Sequence, residues 1–180
     1  PMRSRSLVLA SLCAVHTAVG ARIAIPIGAV PITLQVLVVL LSGFLLGPRL
    51  GAVSQIVYIA LGLTGVPVFT SGGGIQTLLS PTFGYIVGFV PMAWCAGRLT
   101  TGNDTTLPRF FLGGLVAVCV LYLFGASVLM WNMTYVAGKS MSPALAFKVG
   151  ILPFVGIDIV KAVIASLAAW KIRPLLFRDR

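Results

Sequence analysis

Apolar runs follow one another from Leu7 to Leu176, and almost no charge falls inside them. That pattern constrains the chain more than any motif does, because a water-soluble domain has nowhere to bury so much apolar surface. Mean hydropathy is +1.06, and charged residues make up only 9% of the sequence. A typical soluble domain carries about 25%. Lipid is therefore the expected solvent. At roughly 20 residues per span, the length allows about six helices joined by short loops. The expected fold is an all-α polytopic membrane protein, a bundle of six transmembrane helices forming a single membrane domain over residues 1–180.

Proline, glycine and polar clusters punctuate the runs. The first span is expected over about 6–25, and Ile25-Pro-Ile-Gly-Ala-Val-Pro31 breaks it. The second covers about 32–46 and ends at Gly47-Pro-Arg-Leu-Gly51; the third covers about 52–66. Residues 67–80 read as a loop, with three consecutive glycines. The fourth span covers about 81–98, ended by Thr100-Thr-Gly-Asn-Asp-Thr-Thr106, and the fifth about 109–131. A short interfacial helix is expected over Ala144–Lys148, before a sixth span over about 149–171. Arg3 and Arg5 ahead of the first apolar run imitate a secretory signal. The rest of the chain is equally hydrophobic, so a retained first span is expected.

The net charge of +10 comes from 13 basic and 3 acidic residues. The cations sit at the ends of apolar runs and form no basic face, which argues against a nucleic-acid partner. They read instead as topology signals. With six spans, Arg3, Arg5, Arg49, Arg98, Arg109, Lys171, Arg173, Arg178 and Arg180 share one side of the membrane. Arg22, Lys139 and Lys148 lie on the other. That asymmetry puts both termini in the cytoplasm. Cys13, Cys95 and Cys119 all lie in apolar stretches without a CxxC spacing, so neither a disulfide framework nor a zinc site is expected. No cofactor or metal is implied.

Two charges fall where lipid should be. Asp158 and Lys161, in Gly156-Ile-Asp-Ile-Val-Lys161, are three positions apart and share a helix face. Insertion scales put each such charge at about 2.5–3.5 kcal/mol at a helix centre. One reading is a self-neutralising pair that merely tolerates burial. The other is a polar floor for a ligand carrying both donors and an acceptor, since a carboxylate accepts and an ammonium donates. The loop at 67–80 is the second candidate: Gly72, Gly73 and Gly74 let backbone amides approach a ligand, Gln76 offers an amide, and Tyr85 adds a flat face and a hydroxyl. It holds no GxxxxGK[ST] or GxGxxG nucleotide motif. His16 reads as a bonded interior residue, and Arg22 either snorkels to headgroups or attracts an anion. Ala10, Ala14 and Ala18 make a smooth stripe that suits close approach of another helix, inside the bundle or from a partner.

Taken in order, Ile25-Pro-Ile-Gly-Ala-Val-Pro-Ile-Thr-Leu-Gln35, Leu46-Gly-Pro-Arg-Leu-Gly51, Gly65-Val-Pro-Val-Phe69 with the glycine run, Ser80-Pro-Thr-Phe-Gly-Tyr85 with Gly88-Phe89, and Asp158-Ile-Val-Lys161 resemble the BioY family. These are the biotin-binding substrate subunits of energy-coupling factor (ECF) transporters. The last motif departs from the family, reading Val155-Gly-Ile-Asp158 where a Pro-Gly-Asp turn is common. The resemblance implies a six-helix subunit that binds biotin from outside the cell, in the cytoplasmic membrane of a bacterium. It also implies partners, a transmembrane coupling protein and two cytoplasmic ATPases, with the Ala10–Ala14–Ala18 stripe docking on the former. The chain has no ATP-binding motif of its own, so it is expected not to be an enzyme. Its residues alone leave open a self-sufficient ion-coupled carrier and a subunit for another vitamin.

Overall fold

The computed structural model describes residues 4–26, 30–102 and 106–176. Arg3, Arg178 and Arg180 of the charge count, Ile27-Gly-Ala29 of the first break and Asn103-Asp-Thr105 of the polar stretch lie outside the described residues.

The chain is helical almost throughout. Helix α1 (Ser4–Arg22) gives way to a short antiparallel hairpin, β1 (Ala24–Ile25) with β2 (Ile32–Thr33). The Leu34 amide folds back to the carbonyls of Gly20 and Ile23, at 3.2 and 3.3 Å, and so closes the C-terminal end of α1. Helix α2 (Gln35–Leu63) follows, then a 3₁₀ turn over Ile75–Leu79, α3 (Phe83–Thr100), α4 (Leu107–Tyr135), α5 (Pro143–Gly150) and α6 (Leu152–Leu176). Ser142 caps α5 by accepting from the Leu145 amide at 3.2 Å.

α2 is not one rod. At Gly47 the backbone takes φ 79° and ψ 178°, which is open to glycine and forbidden to a helix, and Pro48 restarts the helix behind it. The two arms, 35–46 and 48–63, run antiparallel: Gln35 bonds to Tyr58 and Ser42 to Gln55 across them. They correspond to the expected second and third spans, joined by a turn tighter than anticipated. At 1.5 Å per residue they are about 18 and 24 Å long. Among the described residues, three apolar segments have the length and composition of a membrane span, the unbroken Leu107–Tyr135 and Leu152–Leu175 and the folded Gln35–Leu63. Ser6–Arg22 is a shorter apolar helix. The other expected boundaries differ by a few residues, and the expected loop at 67–80 contains the 3₁₀ turn.

The core lies where α2, α3, α4 and α6 meet, around Val39, Leu40, Phe44, Met92, Phe110 and Leu121, while Leu112, Leu123 and Leu175 face outward. α2 and α3 approach at Gly43 and Gly97. A Cβ on Gly43 would strike the Ala93 carbonyl and sit 2.9 Å from the Ala96 Cβ. Backbones can come this close only where side chains are missing. Below that crossing, Arg109 of α4 donates to the carbonyls of Leu99 (2.8 Å) and Thr101 (2.9 Å), and Arg173 of α6 donates to that of Thr100. Cations thus meet the negative end of α3.

Gly43→Val is expected to destabilise the bundle by about 1–3 kcal/mol through overpacking. Gly156→Ala, where an added Cβ meets open space, should leave stability unchanged or slightly raised. Unfolding by SDS titration in mixed micelles reads both.

Candidate functional site

A cavity of about 360 Å³ opens at the end of the bundle opposite the arginine clasp. Ligand sites commonly range over about 300–1,000 Å³. The hairpin contributes Pro26, Val30, Pro31 and Thr33 to its rim; the segment after α2 contributes Thr70 and Ser71, and the approach to α3 contributes Ser80 and Thr82. Val36, Ile86, Phe89, Leu121 and Phe154 make apolar walls. Its polar groups include Gln35, Tyr85, Tyr122, Asp158 and Lys161.

Asp158 and Lys161 lie in the second and third turns of α6, an unbroken helix despite the departure from the family motif. The Lys161 Nζ donates to Asp158 Oδ1 at 2.7 Å, with the two side chains 6% and 4% exposed. The other carboxylate oxygen, Oδ2, accepts from the Tyr122 hydroxyl of α4 at 2.7 Å. Burial at this depth is tolerable because the charges cancel and both oxygens are bonded. The ammonium has three donors, so Lys161 keeps N–H groups for a ligand, and each Asp158 oxygen keeps a lone pair.

Tyr85 also lines the cavity, its hydroxyl donating to the Gly150 carbonyl at 2.6 Å where α5 meets α6. Gln35 is buried at the rim. Its amide nitrogen donates to Tyr58 (2.7 Å), its oxygen accepts from Thr33 (3.1 Å), and Tyr58 donates to the Val68 carbonyl (3.3 Å). This chain of bonds ties the hairpin to the segment after α2. Arg22 adds a second tie by donating to the Pro67 carbonyl.

The structure brings Asp158, Lys161 and Tyr85 to one cavity. It does not bring Gln76 there, nor Gly72, Gly73 and Gly74. Gln76 is exposed and donates to the Gly73 carbonyl at 2.6 Å, so its amide is committed within its own turn. Gly72 and Gly74 bond back to Phe69 (3.0 Å) and Gly62 (2.7 Å), and Gly73 lies against Val66. The glycines shape the loop, and its contribution to the cavity is Thr70, Ser71 and Ser80. Ala10 and Ala14 are 1% and 2% exposed, packed in the interior of this chain, and Ala18 is half-buried. Ala10 and Ala14 therefore serve the bundle's own packing, and α1 turns Val8, Leu12, Val15 and Val19 outward. His16 is exposed, its Nδ1 2.7 Å from the Leu12 carbonyl. Sequence reasoning missed Tyr122 and Gln35. Gln35 had a signal, an amide opening an apolar run; Tyr122 had none beyond its hydroxyl.

A lipid-embedded helical bundle enclosing a greasy cavity with one buried ion pair defines a membrane protein built to receive a small amphipathic solute. Residues 1–178 match the model of the BioY family, and the chain belongs to that family. It is 39% identical over 173 residues to the probable biotin transporter BioY of Pyrococcus horikoshii, covering 96% of this chain and 98% of that one. The biotin transporter BioY of Thermotoga maritima is 35% identical over 172 residues, covering 95% and 97%. These relatives are transporters by name, not enzymes. The crystal structure of the S-component for biotin from an ECF-type ABC transporter superposes with a TM-score of 0.82 over 96% of this chain and 95% of that one. At 24% identity, it shares the fold.

Removing one member of the buried pair leaves the other uncompensated, whereas removing both does not. Lys161→Met alone is expected to lower stability by about 3–5 kcal/mol. The Asp158→Asn/Lys161→Met double variant should be at least as stable as the parent protein. A double-mutant cycle in SDS unfolding measures the coupling.

Proposed function

We propose that this chain is the substrate-capture subunit of an ECF-type vitamin uptake transporter and that its ligand is biotin. The carrying observation is the Asp158–Lys161 pair, an acceptor set 2.7 Å from a donor in a cavity whose walls include Val36, Ile86, Phe89, Leu121 and Phe154. Biotin's fused ring presents N–H groups beside a carbonyl on an otherwise apolar body. Asp158 accepts from the ureido N–H, Lys161 donates to the carbonyl, and Phe89, Leu121 and Phe154 receive the sulfur ring and tail. The names of the curated relatives support the same ligand.

The subunit sits in the cytoplasmic membrane of a bacterium with six spans and both termini inside. The two arms of α2, together with α1, α3, α4 and α6, supply the spans. Arg49, Arg98, Arg109 and Arg173 gather at the end opposite the cavity, which supports an outward-facing mouth. The chain works with a transmembrane coupling protein and two ATPases, since it carries no nucleotide motif of its own.

Isothermal titration of the detergent-purified protein with biotin, and with a biotin amide whose tail is uncharged, tests the reading. The parent protein is expected to bind both at one site. Asp158→Asn should weaken both by the same factor, about 10- to 100-fold. Retention of full affinity for both ligands by Asp158→Asn would reject the carboxylate's role, and absence of saturable binding by the parent protein would reject the function. Uptake that persists in vesicles lacking the ATPases and collapses with an ion gradient would identify a self-sufficient carrier instead.

A further inference from the structure

We infer that a groove between α4 and α6 holds one acyl chain of an anionic phospholipid, whose phosphate is met by Lys171. The groove, of about 290 Å³, lies at the arginine end of the bundle, away from the cavity of the proposed ligand. The first turn of α4 lines one side with Leu107, Pro108 and Phe111, and α6 lines the other with Val163, Ser166 and Leu167. Its surface is apolar throughout: Ser166 is buried, with its hydroxyl donating to the Ala162 carbonyl at 2.6 Å. A solute that needs hydrogen bonds finds none here, and hydrocarbon needs none.

The next turn of α6 gives that hydrocarbon a headgroup. Positions three, four and seven apart share a helix face, so Trp170 follows Val163 and Ser166, and Lys171 follows Leu167. Both side chains are exposed. Arg173 donates to the carbonyl of Thr100, the last residue of α3, so this turn of α6 lies at the depth where α3 ends. Val163 and Lys171 are about 12 Å apart along the axis, close to the ~15 Å half-thickness of the hydrocarbon core. A chain lying in the groove therefore brings its ester linkage to the indole and its phosphate to the ammonium, the depths at which Trp and Lys settle in a membrane interface. Charge then selects among phospholipids. Arg98 lies in the last turn of α3, and Arg109 and Arg173 clasp its end. Of the chain's three acidic residues, Asp158 is bonded in the cavity, and Asp104 and Asp179 lie outside the described residues. The described part of this end is thus purely cationic and favours an anionic headgroup over a zwitterionic one. In the orientation proposed above, this is the leaflet facing the cytoplasm.

The test is native mass spectrometry of the detergent-purified protein mixed with equal amounts of phosphatidylglycerol and phosphatidylcholine carrying the same acyl chains. The parent protein is expected to retain one phosphatidylglycerol about fivefold more often than phosphatidylcholine. Lys171→Gln should abolish that preference while a phospholipid is still retained. Val163→Trp, which fills the groove, should lose both lipids, whereas Leu123→Trp on the exposed face of α4 should lose neither. Thermal melting in detergent establishes that the variants are folded, and Leu167→Phe stands in should Val163→Trp fail. Equal retention of the two lipids by the parent protein overturns the inference. So does a preference that survives Lys171→Gln, or retention that survives filling of the groove. A dimer that dissociates on Val163→Trp gives the groove to a second copy of the chain and overturns it as well. None of these measurements uses biotin, so their failure leaves the proposed function standing.

Discussion

A carboxylate placed in lipid must be answered from several directions, and the upper half of this bundle is arranged around that demand. Lys161 neutralises Asp158 from one turn further along the same helix, and Tyr122 reaches it from α4. The first contact is local and needs no tertiary structure. The second is not local, and it fixes α4 against α6 at the depth where the cavity closes. Tyr85 then secures α3 to the α5–α6 junction through Gly150. Three helices are thus held by polar bonds between groups that line a common space. An apolar pocket gains its orientation-setting groups in this way without exposing an uncompensated charge to lipid.

The two ends of the molecule divide the work. At the far end, Arg109 and Arg173 satisfy the last carbonyls of α3, and Arg173 also lies 5.8 Å from the Phe110 ring centroid. Those bonds join the same three helices that build the cavity. At the near end, the ties run through Gln35, Tyr58 and Arg22 and hold short irregular segments rather than helices. The stiffer grip is on the frame and the lighter one on the rim, the distribution expected of a site that must admit a solute.

Much of this was legible in the sequence. A charge in an apolar run is a loud signal, because lipid penalises it whichever way the helix turns. Asp158 and Lys161 could be named from spacing alone. The breaks at Pro26, Gly47-Pro48 and the glycine run were equally plain, since backbone chemistry forbids helix there. What hid was orientation. Tyr122 sits in an apolar run where a tyrosine is at home facing lipid, core or cavity, and only the packing of α4 against α6 decides among them. Gln76 misled because a polar side chain in a glycine loop can bond its own backbone and never reach a neighbour. The alanine stripe was ambiguous for a related reason. Small residues report that something comes close, and in this chain Ala10 and Ala14 are taken up by its own packing.

One further polar cluster bears on how the chain is made. Thr17, Ser42, Ser54 and Gln55 are all fully buried between α1 and the two arms of α2, with Thr17 bonded to Gln55 across 38 residues and Gln55 to Ser42 across 13. Each partner lies earlier in the chain than the amide it satisfies. A ribosome feeding the chain into the bilayer delivers α1 first, then the first arm, then Gln55 to bonds already waiting. The Gln55 amide is consequently satisfied within the N-terminal third of the chain, by partners delivered before the helices that carry the ion pair.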